Sequence, residues 1–181
     1  LKELALHILD IVQNSVRADA SIIEITVRED IQRDILMISI KDNGKGMDEE
    51  TLKKVEDPFF TTRTTRKIGL GISLFKTAAL QCNGSFNLVS KQGEGTCLTA
   101  AFQYSHIDRA PLGNIVDTLV TLLMMEKEID YRYVHYYKNN QFSFDTHEIK
   151  KVLDGVPITD INVVEWIKEY ITEGLKEIVN F

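Results

Sequence analysis

Apolar and polar positions along the 181-residue chain follow two different periods. Over Leu1 to about Asp19, Leu4, Ile8, Ile11, Val12 and Ser15 recur at helical spacing with no internal Pro or Gly, which predicts an opening helix. Ser21–Arg28 (SIIEITVR) and Ile35–Asp42 (ILMISIKD) instead alternate or bunch β-branched residues, so they read as antiparallel strands, with polar Glu29–Asp34 as the hairpin loop. The second strand runs into Asp42-Asn43-Gly44-Lys45-Gly46-Met47, where two glycines permit backbone conformations that a side chain would forbid. Asp48 then opens a short helix, acidic at its start and lysine-bearing near its end as the helix dipole favours, and Pro58 stops it. Asp57–Lys67 is polar and basic around Phe59 and Phe60, and it leads into Gly69-Leu70-Gly71, the start of an apolar helix to about Cys82. Asn83-Gly84 turns the chain, and Ser85–Ser90 and Thr96–Gln103 form a hairpin about Gln92–Gly95.

The character changes from His106. Leu112–Glu126 is expected to be helical, and Tyr131–Tyr137 and Gln141–Phe144 flank Lys138-Asn139-Asn140 as a short hairpin. Asp145 through Glu148 has the pattern of a helix cap for a helix to Leu153, and Thr159 or Asp160 starts a last helix toward Val179. The expected organisation is therefore a unit over residues 1–108 and a small helix/hairpin/helix extension over 109–181. The fold class that follows is α/β in the α+β sense: a two-layer sandwich whose mixed, mainly antiparallel sheet is covered on one face by helices.

Composition narrows the function classes. At 44% hydrophobic and 27% charged the chain is long enough to bury a real core, and no apolar run approaches the ~20 residues of a membrane helix, so no membrane partner is expected. Cys82 and Cys97 are too few for a disulfide framework and read as thiols in a reducing compartment; with no signal-peptide pattern at the start, a cytoplasmic address is expected. Up to Arg109 there are 14 basic against 15 acidic residues, and beyond it 7 against 12. Neither segment has the basic excess of a non-specific nucleic-acid binder, so no nucleic-acid partner is expected. The last two helices could imitate a helix-turn-helix, but their acidic balance favours packing. A small anion remains open, since backbone N–H groups at a helix start can hold phosphate without a global positive field.

Three blocks then need one explanation. Asp10 and Asn14 share a face of the opening helix at four-residue spacing; the Asp42 loop is tight and approachable; and the Thr- and Arg-rich stretch before Gly69-Leu70-Gly71 suits a phosphate cradle. Taken singly, Asn14 could bond its own helix, Asp42 could form a turn, and the glycines could serve close packing. Together and in this order, HILDIVQNSVRADA, DNGKGM, DPFFTTR and IGLGISLFKTAAL followed by EGT resemble the N box, glycine boxes and F box of the ATP-binding superfamily shared by histidine kinases, DNA gyrase, heat-shock chaperones and mismatch-repair ATPases. The resemblance covers about residues 3–104.

It implies ATP and Mg²⁺ as cofactors. Asn14 would hold the Mg²⁺ and Asp42 would accept from the adenine amine, with Gly44 and Gly46 bringing the loop close, Met47 beside the base, and Thr96 supporting Asp42. Phe60 belongs to the F box, the N–H groups of Gly69, Leu70 and Gly71 would meet the phosphates, and Lys67, with Arg63 and Arg66, is a candidate for charge on the outer phosphates. Asp10 stands where hydrolysing members carry a Glu, and its side chain is one methylene shorter, which makes it a candidate base or water orienter. The extra glycine many members carry before Gly69 is replaced by Lys67 and Ile68, and the stretch from Phe60 is short, which implies a small lid.

His7, His106, His135 and His147 are read as structural or surface residues, so a phosphoacceptor would come from another chain. The implied activity is a histidine-kinase-like protein of bacterial signalling that transfers the γ-phosphoryl group to a protein partner or hydrolyses ATP slowly. The alternatives are a nucleotide-gated binding module without catalysis and a mismatch-repair-like ATPase. Val163, Val164, Trp166, Ile167, Tyr170 and Ile171 form an apolar face read first as core packing and second as a partner or homodimer surface.

Overall fold

A computed structural model describes residues 2–57, 70–125 and 128–179. The chain runs α1 (Leu4–Arg17), β1 (Ile22–Asp30), β2 (Ile35–Asp42), α2 (Glu49–Glu56), α3 (Leu70–Gln81), β3 (Ser85–Lys91), β4 (Gly95–Gln103), α4 (Ile115–Leu123), β5 (Asp130–Tyr137), β6 (Asn140–Asp145), α5 (Thr146–Leu153) and α6 (Ile161–Val179). The six strands of the described residues join one sheet in the order β3-β4-β2-β1-β5-β6. Its neighbours pair antiparallel except β1 and β5, which run parallel from Ile22↔Asp130 to Glu29↔Tyr137. The sheet is thus mixed and mainly antiparallel, which is the fold class expected.

Period-two alternation sends Ile23, Ile25 and Val27 of β1, Leu36, Ile38 and Ile40 of β2, and Leu98, Ala100 and Phe102 of β4 into the core. The helices cover that face. α1 buries Leu4, Ile8, Ile11 and Val12, spaced for one helical stripe, and α3 adds Ile72, Phe75 and Ala79. The opposite sheet face is polar: Arg132 of β5 pairs with Glu24 of β1 at 3.0 Å and with Asp145 of β6 at 3.6 Å.

Several element bounds differ from expectation by a few residues, two of them for evident local reasons. Glu29 and Asp30 continue β1, because Asp30 Oδ1 accepts the Arg33 N–H at 3.1 Å and closes a tighter turn than the six-residue loop expected. α4 starts at Ile115 rather than Leu112, since the Asn114 side chain caps it by accepting the Asp117 N–H at 3.0 Å. The residues released have another use. α1 lacks a side-chain cap, and its first N–H groups, on Leu4 and Ala5, donate to the carbonyls of Pro111 and Leu112 at 2.9 and 2.8 Å. The expected division near 105–110 therefore falls where the chain leaves β4, and the residues beyond it extend the same sheet and the same core, through Leu119, Tyr133, Phe144 and Ile171. No described helix is long and apolar enough to cross a membrane.

Candidate functional site

β2 delivers Asp42 to the end of the sheet as its last residue, with its side chain on the helix-covered face and only 8% exposed. A carboxylate there needs donors. The Gly44 N–H donates to Oδ1 at 2.9 Å, and the Ser15 hydroxyl, on the buried stripe of α1, donates to Oδ2 at 2.5 Å. Asn43 faces the other way: its Oδ1 accepts the N–H groups of Ser21 and Ile22, both at 2.9 Å, and its amide donates to Ser21 Oγ at 2.8 Å, which clamps the loop onto the start of β1.

The loop glycines are required by packing. A Cβ on Gly44 would stand 2.7 Å from the Ala18 carbonyl oxygen. At Gly46 φ is +66°, and a Cβ would overlap the Lys91 carbonyl, so no L side chain fits without moving the backbone. The loop is also tied to the β3–β4 turn. The Gly93 N–H donates to the Lys45 carbonyl at 2.7 Å, and the Met47 N–H donates to Ser90 Oγ at 2.9 Å, itself 2.8 Å from Thr96 Oγ1. Asp48 caps α2, and the Thr51 N–H it accepts lowers its pKa.

These elements enclose a cavity of about 500 Å³. Ile11, Ile40, Met47, Ile72, Leu88 and Leu98 make its apolar wall, and Asn14, Ser15, Asp42 and Thr96 its polar part. Arg17 and Lys45 add positive charge, and Arg17 Nη1 lies 3.4 Å from Asn14 Oδ1. Size and lining are those of a small-molecule site.

Of the residues expected from the sequence, Asn14, Asp42, Gly46, Met47 and Thr96 line this cavity. Gly44 stands behind it as a donor to Asp42. Thr96 sits opposite Asp42 in the β2–β4 pair, although its hydroxyl contacts Ser90. Asp10 lies one helical turn before Asn14, and a Cβ on Gly71 would stand 3.4 Å from Asp10 Cβ, so the first turn of α3, with Leu70 and Gly71, abuts α1 at that point. Phe60, Lys67 and Gly69, with Arg63 and Arg66, lie outside the described residues.

Ser15, Arg17, Asn43 and Ser90 are additions. Ser15 and Arg17 share the helix of Asn14, a signal of position that does not name their partners. Ser90 carried no signal beyond being a polar residue on the inward period of β3. No group of three or more His, Cys, Asp or Glu side chains placed to hold a metal occurs among the described residues.

Residues 2–106 match the family described as histidine kinase-, DNA gyrase B-, and HSP90-like ATPase. The chain is similar to the sensor protein kinase FleS of Pseudomonas aeruginosa, at 38% identity over 108 residues that cover 60% of this chain and 26% of that protein. It is similar also to sporulation kinase E of Bacillus subtilis, at 33% identity over 53% of this chain and 13% of the relative. The chain thus spans about a quarter or less of these relatives' length. Among solved structures, the ATPase domain of Aquifex aeolicus MutL complexed with ADP is similar at TM-score 0.48 and 11% identity, over 78% of this chain and 64% of that one. With more than half of its length matched by the family model, the chain belongs to the histidine kinase-, DNA gyrase B- and HSP90-like ATPases.

Proposed function

We propose that the cavity binds Mg-ATP and that the chain is the nucleotide-binding part of a histidine-kinase-like signalling protein. The observation that carries this reading is the buried Asp42 carboxylate, held by Ser15 and Gly44 beside the apolar wall of the cavity. A carboxylate accepts only, so it suits the exocyclic amine of adenine and opposes the carbonyl of guanine. Ile40, Met47 and Leu98 offer the flat apolar contacts a base requires. Family membership and the sensor-kinase names of the relatives support the same ligand.

Mg²⁺ takes oxygen ligands, keeps several waters and leans on phosphate oxygens, so a single carboxamide oxygen from Asn14 fits its needs better than a carboxylate cage would. When bound, the ion would neutralise phosphate charge. Arg17 and the first N–H groups of α3, near Leu70 and Gly71, are suited to the same phosphates. Asp10, a turn before Asn14, is the candidate for orienting a water or the attacking group. Its reach favours transfer to a protein acceptor, or slow hydrolysis, over rapid turnover. Residues 109–181 would serve regulation or partner binding.

The test is Mg²⁺-dependent ATP binding by wild type and by Asp42→Asn, which replaces one acceptor oxygen with a donor. Wild type is expected to bind and the variant to lose at least about tenfold in affinity, the scale of a hydrogen bond to a charged group. Undetectable binding by both would sink the reading.

A second reading, a nucleotide-gated binding module without catalysis, is favoured by one arrangement. Asn43, adjacent to Asp42, grips Ser21 and Ile22, and Ser21 accepts the N–H of Asp130, where the extension's strand β5 begins. Single-turnover radiolabelled ATP separates the two: free phosphate or labelled protein means catalysis, and intact bound ATP after long incubation means a switch.

A further inference from the structure

The two anchors of Asp42 differ in kind. Gly44 offers a backbone N–H two residues away, a donor that depends on no side chain. Ser15 offers a side-chain hydroxyl from another element, 27 residues away, at 2.5 Å, with Ser15 4% and Asp42 8% exposed. Ser15 also lines the cavity. A hydroxyl has one proton and two lone pairs. Once that proton is committed to Asp42 Oδ2, the face Ser15 turns to the cavity can only accept, like the remaining lone pairs of the carboxylate.

We infer that Ser15 is the positioning residue for base selection: it fixes the rotation of the Asp42 carboxylate and, with it, presents an acceptor-only edge that takes a 6-aminopurine and opposes a 6-oxopurine. The inference rests on the nucleotide reading above and adds to it the residue that makes the site discriminate. A purely structural serine would satisfy Asp42 without bearing on which base enters. Without the Ser15 bond the carboxylate keeps, among the described residues, Gly44 on one oxygen, and is free to turn the other away from the base or to hold a water against it.

The experiment measures affinity of the full chain, wild type and Ser15→Ala, for three Mg-nucleotides: ATP, inosine triphosphate with its 6-oxo group, and purine riboside triphosphate with no 6-substituent. Wild type is expected to prefer ATP over both. In Ser15→Ala the ATP affinity should fall about tenfold, while that for purine riboside triphosphate changes little, so the preference collapses. Ser15→Cys keeps the volume with only a weak donor and should show the same loss of preference, which carries the test if the alanine variant does not fold. Equal weakening for all three nucleotides, or an unchanged ATP preference, would overturn the inference while leaving nucleotide binding intact. A wild type that binds none of the three removes the nucleotide reading and this inference with it.

Discussion

His7, on the second turn of α1, is buried at 5% exposure, stacks on Phe75 with ring centroids 5.2 Å apart, and has no partner for Nδ1 among the described residues. Burial lowers its pKa from 6.5 to about 4, because the charged ring would lose its hydration without a counter-ion. The sign follows directly. Between pH 6.5 and about 4 the unfolded chain takes up a proton that the folded chain refuses, so this contribution to stability is complete above pH 6.5 and lost as pH falls through that window. The full loss is on the order of 3 kcal/mol. His7→Phe keeps an aromatic ring on Phe75 and removes the titration. Urea midpoints measured from pH 7 to pH 4 should therefore fall more steeply for wild type than for the variant, and parallel curves would show that His7 is solvated in the folded state. The sequence placed His7 on the opening helix as a structural or surface residue, and its position beside the helical stripe buries it. Ser15 shares that stripe, yet its role was not legible, since its partner lies across the sheet and nothing local to Ser15 names Asp42. Ser90 is the same case: the Met47 N–H it accepts is 43 residues away.

At the level of elements, period and punctuation carried most of the information, because alternation, caps and glycine turns are local causes. They do not say which strand lies beside which. The hairpin of β5 and β6 was readable; that β5 would lie parallel along β1 was not, since both strands present an alternating buried face that several neighbours could cover. The docking of α6 shows the same limit. Val163, Ile167 and Ile171 face the core as expected, whereas Trp166 and Tyr170 remain 52% and 44% exposed and stack on each other at 5.5 Å. What sets the approach of α6 is Gly174, where a Cβ would overlap the ring of buried Phe142 on β6. Ordinarily Gly→Ala inside a helix stabilises by about 1 kcal/mol. Here the added methyl must displace a ring held between the sheet and Tyr170, and overpacking of that kind costs up to about 3 kcal/mol. The clash wins: Gly174→Ala should destabilise by roughly 2 kcal/mol, lowering Tm by about 4–8 °C. Pairing it with Phe142→Leu should recover part of the loss, and a thermal melt in which Gly174→Ala alone gains stability would show that α6 stands off the sheet.

The family match ends at residue 106, but the physical unit does not. β1 would become an edge strand without β5, leaving its buried residues Ile23, Ile25 and Val27 without the Tyr131 and Tyr133 side chains that extend the core beside them. An exposed apolar edge of that length is a template for aggregation. α1, which carries Asn14 and Ser15, would lose the Pro111 and Leu112 carbonyls that cap its first N–H groups and the packing of α4, whose Thr118 hydroxyl donates to the Ala5 carbonyl at 3.4 Å. Glu29 would lose His135, whose Nε2 lies 2.7 Å from its carboxylate, and keep the Tyr104 hydroxyl at 3.1 Å. These losses fall on α1, which carries Ser15, and on β1, which pairs with the strand that delivers Asp42, so the cavity is expected to depend on residues beyond the matched region. A chain cut after residue 108 is accordingly expected to show no cooperative thermal transition and no Mg-ATP binding. A chain cut after residue 159 keeps the six described strands and loses α6, which packs on α4, β5 and β6, so it should melt at lower temperature and still bind. The order of these two effects is the informative result. A 2–108 fragment that melts cooperatively and binds as the full chain does would mean that β5 and its helices are appended to a module already complete, and the parallel β1–β5 seam would then be an interface rather than part of the core.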